Sequence, residues 1–390
     1  MAPFSRALIF SSKRTNSTVK KFFTATLLFV VLITSFGCVE KQSEEIVIGA
    51  ILPLTGDGAK WGETAKNAIN MATNEINAEG GINGKKMKVI YEDDQGGPAT
   101  GASVMTKLAT VNKVPVVIGT LFSSVTLAMA PIAEGNKVVL ISPASTAPKI
   151  SQAGDYIFRN VAPDTFEAKE MATFAFKEMK FQHVAILYIN NDYGLGLKEV
   201  FESEFKKLGG SILSEESFEQ GGTDFRAQLT KIKNAKPDAV YMPGYPPEMA
   251  QIMKQAAELK LRTQFLSVTV FEDSKVLELA GQAADGVIYT TQVYDPEAKD
   301  EIVQKFVKAY KDRFNATPDI FAGLSYDATK IVALAMRQGG LQSEQIKKTL
   351  YTIKDFHGVT GLTTFDANGD VMKPIGIKVL KQGRFVWYGK

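Results

Sequence analysis

The sequence predicts an α/β protein built of two doubly wound parallel-sheet lobes. Three observations lead to this prediction. Short apolar runs alternate with amphipathic helical segments from residue 45 onward, the alternation restarts near residue 183, and no linker of low complexity interrupts it. Repeated strand–helix–strand units form parallel sheets that helices cover on both faces. The 390-residue chain is long enough for two such cores.

The first series of alternating segments begins with a buried-strand run at residues 46–52, which Pro53 and Gly56 end. Apolar residues then recur at helical spacing, and Gly80 stands where a glycine commonly follows a helix. The rest of the series alternates in the same way. Strands are predicted at residues 88–91, 114–118 and 138–141, and helices near residues 100–111 and 125–134.

The second series repeats this pattern. Its predicted strands are residues 184–188, 210–213, 238–242 and 264–267, and its predicted helices are residues 197–208, 225–234 and 248–259. The remaining C-terminal residues are too few for a third lobe. They add a strand at 286–290, helices at 300–314 and 326–338, and a closing hairpin around Gln382 and Gly383.

The first 37 residues have the pattern of an export signal. They hold five basic residues and no acid, and their apolar run at residues 22–36 is too short to span a bilayer comfortably. Cys38 follows Gly37 in a segment that resembles a bacterial lipobox, although the two residues before Gly37 depart from it. We predict a lipoprotein signal peptide in residues 1–37, lipidation of Cys38 and a tether in residues 38–45. A plain secretory signal is the alternative.

Charge and composition argue against a nucleic-acid partner. The whole chain has a net charge of +3, and removing the five basic residues of the signal leaves −2. Nothing in this mildly acidic composition suggests a nucleic-acid partner. With one cysteine there is no internal disulfide, and His183 and His357 lie far apart without a metal-binding pattern. We expect neither a metal nor another cofactor.

Polar and aromatic residues follow five of the predicted strands. Ligands of parallel α/β sheets bind beyond these carboxyl ends. Ser123 begins a predicted helix whose free N–H groups suit a carboxylate, although a simple N-cap role is equally compatible with the sequence. Trp61 and Thr146 lie in other loops of the first series, and Tyr193 and Tyr245 in loops of the second. Together they predict a binding cleft between the lobes.

Six segments of the chain match, in their order and spacing, segments of a known protein family. They are LTG at residues 54–56, INAEGGINGK at 76–85, YEDD at 91–94, SPASTAP at 142–148, DYG at 192–194 and GYPPEM at 244–249. From about residue 46 to residue 379 the chain resembles the leucine/isoleucine/valine-binding family of ABC-transporter substrate-binding proteins. The resemblance implies the periplasmic binding protein type I fold, with two lobes joined by a hinge. It also implies a binding protein, not an enzyme, that delivers a carboxylate-bearing ligand to a permease.

The resemblance implies the lobe boundaries and the site residues. Lobe 1 would comprise residues 46–164 and about 294–370, and lobe 2 residues 165–293 and about 371–390. The ligand carboxylate would be held by three first-lobe residues: Ser123, Ala144 and Thr146. The ligand side chain would lie near Trp61, Leu121, Phe122, Ser145 and Phe321. From the second lobe, Tyr193 and Tyr245 would close over the ligand.

One departure from the family pattern concerns the ligand ammonium. The resemblance places an acid near residue 269, where this chain has Thr269. Glu272 or Asp273 could take its place. An ammonium buried without an anion is costly. A carboxylate without an amino group, aromatic or aliphatic, is therefore the alternative ligand, and Trp61 and Phe122 suit a flat one.

Other functions have weaker sequence support. Gly194 and Gly196 follow a strand and open a helix, as in a dinucleotide-binding enzyme, but Glu199 replaces the third glycine of that pattern. A sensory receptor that reports its ligand to a membrane partner would use the same two-lobed domain. The sequence does not separate sensing from transport.

Overall fold

The structure, a computed structural model, describes residues 45–389 together with Ser11. The predicted signal peptide, the lipidation site at Cys38 and most of the predicted tether lie outside the described residues. Within the described residues, every helix is too short or too polar to cross a membrane.

The first sheet contains five parallel strands in the order β2-β1-β3-β4-β5. They are β1 (Ile46–Leu52), β2 (Met87–Asp93), β3 (Val116–Gly119), β4 (Val139–Ser142) and β5 (Ile157–Arg159). Parallel neighbours need crossover connections. Here these are α1 (Ala59–Ala78), α2 (Pro98–Thr110) and α3 (Ser123–Asn136). Every residue of β3 and β4 is buried, which explains why these strands are continuous apolar runs.

The second sheet contains seven strands in the order β14-β13-β10-β9-β8-β6-β7. They are β6 (His183–Ile189), β7 (Ser211–Phe218), β8 (Ala239–Tyr241), β9 (Gln264–Ser267), β10 (Ile288–Gln292), β13 (Ile375–Lys381) and β14 (Arg384–Trp387). Its helices are α4 (Asp164–Thr173), α5 (Asp192–Lys207), α6 (Arg226–Ala235), α7 (Pro246–Glu258) and α8 (Ser274–Ala280). The first five strands in chain order are parallel, whereas β13 runs antiparallel to β10.

The closing hairpin predicted from the sequence is present. β13 and β14 pair antiparallel, and the two residues between them, Gln382 and Gly383, both have positive φ. A two-residue turn with positive φ at both positions matches the twist of a hairpin.

The remaining helices join the first sheet. They are α9 (Glu301–Phe314), α10 (Ile320–Gly339) and α11 (Ser343–Thr352). α10 packs along α1, and α11 packs against α10 and β4. The short antiparallel strands β11 (Phe356–Gly358) and β12 (Gly361–Thr363) form a separate ribbon. After β10 the chain thus crosses from the second sheet to the first, and it returns to the second sheet at β13. The exact lobe boundaries stay a prediction.

Several elements differ from the sequence prediction. α5 begins at Asp192, five residues before the predicted start, because the Asn191 side chain accepts a hydrogen bond from Gly194 N and caps the helix. The prediction omits β5 and α4 altogether. In α4 the buried positions recur at helical spacing, but two of them are the acids Asp164 and Glu167. A search for apolar residues at helical spacing therefore does not detect this helix, because two of its buried positions are acids.

Candidate ligand-binding site

A cavity lies between the two lobes, at the carboxyl ends of the strands. Most of the residues predicted to bind the ligand line it. They are Trp61, Leu121, Ser123, Ala144, Thr146, Tyr193, Tyr245, Thr269 and Phe321. Three predicted residues, Phe122, Ser145 and Glu272, are not among its lining residues.

Ser123 is the first residue of α3, and Phe122 occupies the N-cap position without a side-chain cap. The N-cap role that the sequence also allowed for Ser123 is therefore absent. Its Oγ instead accepts hydrogen bonds from Thr146 N at 3.2 Å and Ala147 N at 3.1 Å. Because Oγ is already an acceptor twice, the Ser123 hydroxyl proton is left for a further acceptor.

The loop after β4 is held in place by Ser142. The Ser142 hydroxyl donates to Thr120 O at 2.7 Å and accepts from Ser145 N at 2.9 Å. Ser145 is fully buried, and its own hydroxyl bonds Thr126 Oγ1 and Thr120 O. Ser145 therefore supports the loop from behind, while its neighbours Ala144 and Thr146 face the cavity.

Aromatic rings form the apolar part of the site. Trp61 stacks on Phe321 with ring centres 5.1 Å apart, and it lies 6.2 Å from the Tyr245 ring of the other lobe. Phe122 packs against both Trp61 and Tyr245 and lines an adjoining cavity. The wall made by Trp61, Leu121 and Phe321 offers apolar area to a ligand side chain.

Tyr193 and Tyr245 cover the cavity from the second lobe. Their rings are nearly parallel, with centres 5.5 Å apart, and both are buried. Burial raises the pKa of each phenol, which keeps both groups neutral.

Bonds between the lobes hold the cavity closed on its outer side. Trp61 Nε1 donates to Asp273 Oδ2 at 2.8 Å, and Lys60 Nζ lies 2.5 Å from Ser274 Oγ. Lys149 forms an ion pair with Asp192 at 3.1 Å. Asp273 also caps α8 by accepting from Lys275 N, so its carboxylate is already bonded.

Glu272 likewise has partners outside the cavity. Its carboxylate pairs with Lys378 at 2.7 Å and accepts a hydrogen bond from the Tyr289 hydroxyl at 3.0 Å. Glu272 and Asp273 both line a further cavity next to the first one. Glu272 and Asp273, the two acids that the sequence prediction proposed as substitutes for an acid at residue 269, therefore both already have partners in the structure.

The sequence prediction missed two acids at the start of α4. Glu167 lines the cavity and is 3% exposed, and Asp164 is fully buried beside it. Thr269 donates to Glu167 Oε1 through its backbone N at 2.6 Å and its hydroxyl at 3.0 Å. Thr290 Oγ1 donates to the same oxygen at 2.9 Å. A carboxylate thus lies against the very residue where the family pattern places an acid.

The electrostatics of these two acids follow from burial. Burial, and next the charge of Glu167, raise the pKa of Asp164 well above its usual value. Burial also raises the pKa of Glu167, although the hydrogen bonds from Thr269 and Thr290 oppose the rise. Arg159 lowers the pKa of Asp164, but it forms its own ion pair with Asp370 at 2.6 Å.

Gln292 is a second cavity-lining residue that the sequence prediction missed. It ends β10, is 5% exposed, and its Oε1 has no hydrogen-bond partner. The other cavity-lining residues outside the prediction are apolar: Val161, Val270, Ile320 and Leu324.

The fold and this site can be compared with known proteins. A family model described as periplasmic binding protein matches residues 45–383. The chain belongs to this family. It has the two-lobed periplasmic binding protein type I fold, as the sequence predicted.

Relatives in this family bind different small molecules. The leucine-specific-binding protein of Salmonella typhimurium is 28% identical over 92% of this chain and 94% of its own length. The branched-chain amino acid transporter substrate binding protein LivJ from Streptococcus pneumoniae, solved with isoleucine, is 31% identical, with a TM-score of 0.81 over 88% of this chain and 98% of that one. An ABC-transporter solute binding protein from Rhodopseudomonas palustris, solved with 3,4-dihydroxybenzoic acid, is 26% identical, with a TM-score of 0.77 over 88% and 95%.

Proposed function

We propose that this protein captures a small hydrophobic amino acid in the interlobe cavity and delivers it to the permease of an ABC importer. The ligand carboxylate would bind to the first lobe, at Ser123, Thr146 and the backbone of Ala144. This proposal is supported by the relatives that bind leucine and isoleucine. Binding of a ligand, not catalysis, is the proposed activity.

The Ser123 hydroxyl is the observation that carries the carboxylate part of the proposal. Two backbone N–H groups donate to its oxygen, which orients the hydroxyl proton towards another acceptor. Ser123 also begins α3, and the first N–H groups of a helix attract an anion. Thr146, whose hydroxyl is a further potential donor, lines the same cavity.

The apolar wall supports a hydrophobic ligand side chain. Trp61, Leu121 and Phe321 line the cavity, with Phe122 and Ser145 behind them as packing and loop support. Burying an aliphatic side chain against such a wall contributes about 1.5–3 kcal/mol. Tyr193 and Tyr245 then cover the ligand from the second lobe, so that a bound ligand favours the closed arrangement.

We further propose that the protein is exported and works at the outer side of a membrane. Residues 1–37 would be removed as a signal peptide, and acyl chains on Cys38 would anchor the mature protein through the tether at residues 38–45. The anchor would keep the receptor near its permease. Mass spectrometry of the mature protein tests this, because an unmodified N-terminus other than Cys38 would contradict lipidation.

A second candidate ligand is an aromatic carboxylic acid without an amino group. The aromatic wall of Trp61, Phe122 and Phe321 suits a flat ring, and one relative was solved with a dihydroxybenzoate.

A sensory role would use the same cavity, and growth on the ligand after deletion of a neighbouring permease gene would separate sensing from import.

Calorimetric titration of residues 39–390 tests the proposed function. The panel contains leucine, isoleucine, valine and phenylalanine, together with 4-methylpentanoate, 3-phenylpropanoate and 3,4-dihydroxybenzoate. We expect saturable binding of at least one amino acid. Binding of only amine-free acids would favour the second candidate, and binding of no carboxylate at all would contradict the proposed ligand class.

A further inference from the structure

Glu167 is a buried carboxylate that forms no ion pair with any lysine, arginine or histidine among residues 45–389. The influences on its pKa are burial and the hydrogen bonds from Thr269 and Thr290, with no positive group among them. An ionised carboxylate in such a place is costly unless a positive charge compensates it. Because Glu167 lines the ligand cavity, a cationic group of the ligand is able to supply that charge.

The hydrogen bonds of Glu167 orient the carboxylate without saturating it. The bonds from Thr269 N, Thr269 Oγ1 and Thr290 Oγ1 all end on Oε1. An ionised carboxylate has about four acceptor positions on its two oxygens. Oε2 therefore keeps its capacity to accept hydrogen bonds from a ligand.

Gln292 adds a second acceptor to this part of the cavity. It lies two residues after Thr290 on β10, so the two side chains share one face of the sheet. Its Oε1 is buried and accepts no hydrogen bond. A buried acceptor of this kind is normally paired, and an ammonium group has three N–H donors to offer.

Thr269 holds the Glu167 carboxylate at this part of the cavity. At the position where the family pattern places an acid, Thr269 donates two hydrogen bonds to Glu167. The negative charge thus reaches this place from α4 instead of from the loop after β9. Asp164 lies next to Glu167 but is not a cavity-lining residue, and its raised pKa favours its neutral form beside an ionised Glu167.

We propose that Glu167 and the side-chain oxygen of Gln292 form an ammonium subsite, and that Glu167 makes this protein select α-amino acids over carboxylic acids without an amino group. The inference rests on the proposed function, since it assumes that the ligand carboxylate binds at Ser123. It assigns the discrimination between the two candidate ligand classes to one side chain.

The test compares Glu167→Gln with the unmodified protein, using leucine with 4-methylpentanoate and phenylalanine with 3-phenylpropanoate as matched pairs. In the unmodified protein, the amino acid of at least one pair should bind about 100-fold or more tightly than its amine-free partner. Glu167→Gln keeps the shape and the acceptor oxygen but removes the charge. It should weaken amino-acid binding about 100-fold, whereas the affinity for the amine-free acid should stay the same or rise, because the repelling charge is gone.

Two further variants separate charge from structure. Glu248→Gln is the matched control, because Glu248 is also a buried second-lobe glutamate that accepts from a backbone N–H, that of Gly221. It should leave both ligand affinities within about threefold. The double variant Glu167→Gln with Thr269→Glu returns the acid to the family position and should recover at least about tenfold of the lost amino-acid affinity. Thermal unfolding of each variant checks that it is folded.

The outcomes distinguish this inference from the proposed function. If the unmodified protein binds an amino acid and Glu167→Gln binds it equally well, the ammonium subsite is wrong and the proposed function stands. Equal loss of both members of a pair in a folded Glu167→Gln protein also overturns the inference, since that pattern indicates a structural role. If the unmodified protein binds only amine-free acids, the selectivity assigned to Glu167 is wrong and the second candidate ligand class is favoured.

Discussion

The two lobes contribute opposite chemistry to the cavity. The first-lobe wall presents donors, namely the Ser123 and Thr146 hydroxyls and the start of α3. The second-lobe wall presents acceptors, namely Glu167 and Gln292. An α-amino acid carries one group for each wall. A ligand that bridges both walls gains contacts only when the lobes are together, and it therefore shifts the population towards the closed form.

The largest effect in this comparison is expected from removing the first-lobe donor. Ser123→Ala deletes a hydrogen bond to a charged group, which costs about 1.5–3 kcal/mol, or about 10- to 150-fold in affinity. Unlike Glu167→Gln, it should weaken amino acids and amine-free acids equally, because both carry the carboxylate. Calorimetry measures the effect, and the exposed Thr106→Ala on α2 is a control. An unchanged affinity would mean that Ser123 does not bind the ligand.

The pH dependence of binding sharpens the comparison. Burial raises the pKa of Asp164 and Glu167 in the ligand-free protein, so protons persist on this pair above pH 4.5, the ordinary value for glutamate. An ammonium favours the ionised form, so binding releases protons and the affinity for an amino acid should rise with pH, by up to about tenfold per unit for each proton. Arg159 is already paired, and burial keeps the phenols of Tyr193 and Tyr241 neutral.

The amine-free acid should show the opposite trend. Its carboxylate gains nothing from an ionised second-lobe wall and is repelled by it, so its affinity should fall as pH rises. Titrations of leucine and 4-methylpentanoate between pH 5 and pH 8 check both trends. Parallel profiles for the two ligands would mean that the acids of α4 do not face the ligand ammonium.

The smallest effect is expected at the contact between the lobes. Trp61→Phe keeps an aromatic ring against Phe321 but removes the hydrogen bond from Trp61 Nε1 to Asp273. We expect affinity to fall about fivefold for both ligand classes, since about 1 kcal/mol of closed-state stability is lost. Asp273→Asn keeps an acceptor oxygen and should have a smaller effect. Small-angle scattering at a fixed ligand concentration would show more of the open form in Trp61→Phe.

The first-lobe wall was predictable from the sequence, and the second-lobe wall was only partly so. Ser123 and Thr146 follow buried strands, and strand ends of a parallel sheet meet at one edge, whereas Ala144 was implied only by the resemblance to the family. Tyr193 and Tyr245 follow strands of the second sheet and were predicted for the same reason. All five line the cavity.

The acids of α4 escaped this reasoning for a physical reason. α4 does not follow a strand of its own sheet, since it comes directly after the chain leaves β5 of the first lobe. Its buried face contains Asp164 and Glu167, which a search for apolar periodicity counts as exposed positions. Gln292 was missed because a single glutamine at the end of a strand carries no pattern. The signal that could have revealed Asp164 and Glu167 is their spacing, because two acids three residues apart lie on one face of a helix.

The sequence alone determined the alternation of strands and helices, the two lobes and the hairpin at the C-terminus, because burial imposes apolar periodicity on each element locally. It also determined which loops would meet at the strand ends. Only the tertiary structure decided which acid lines the cavity. Thr269 and Glu167 are separated by about one hundred residues in the chain but joined by two hydrogen bonds. Whether a carboxylate stands at a given point in space depends on packing between distant elements, and no local pattern records it.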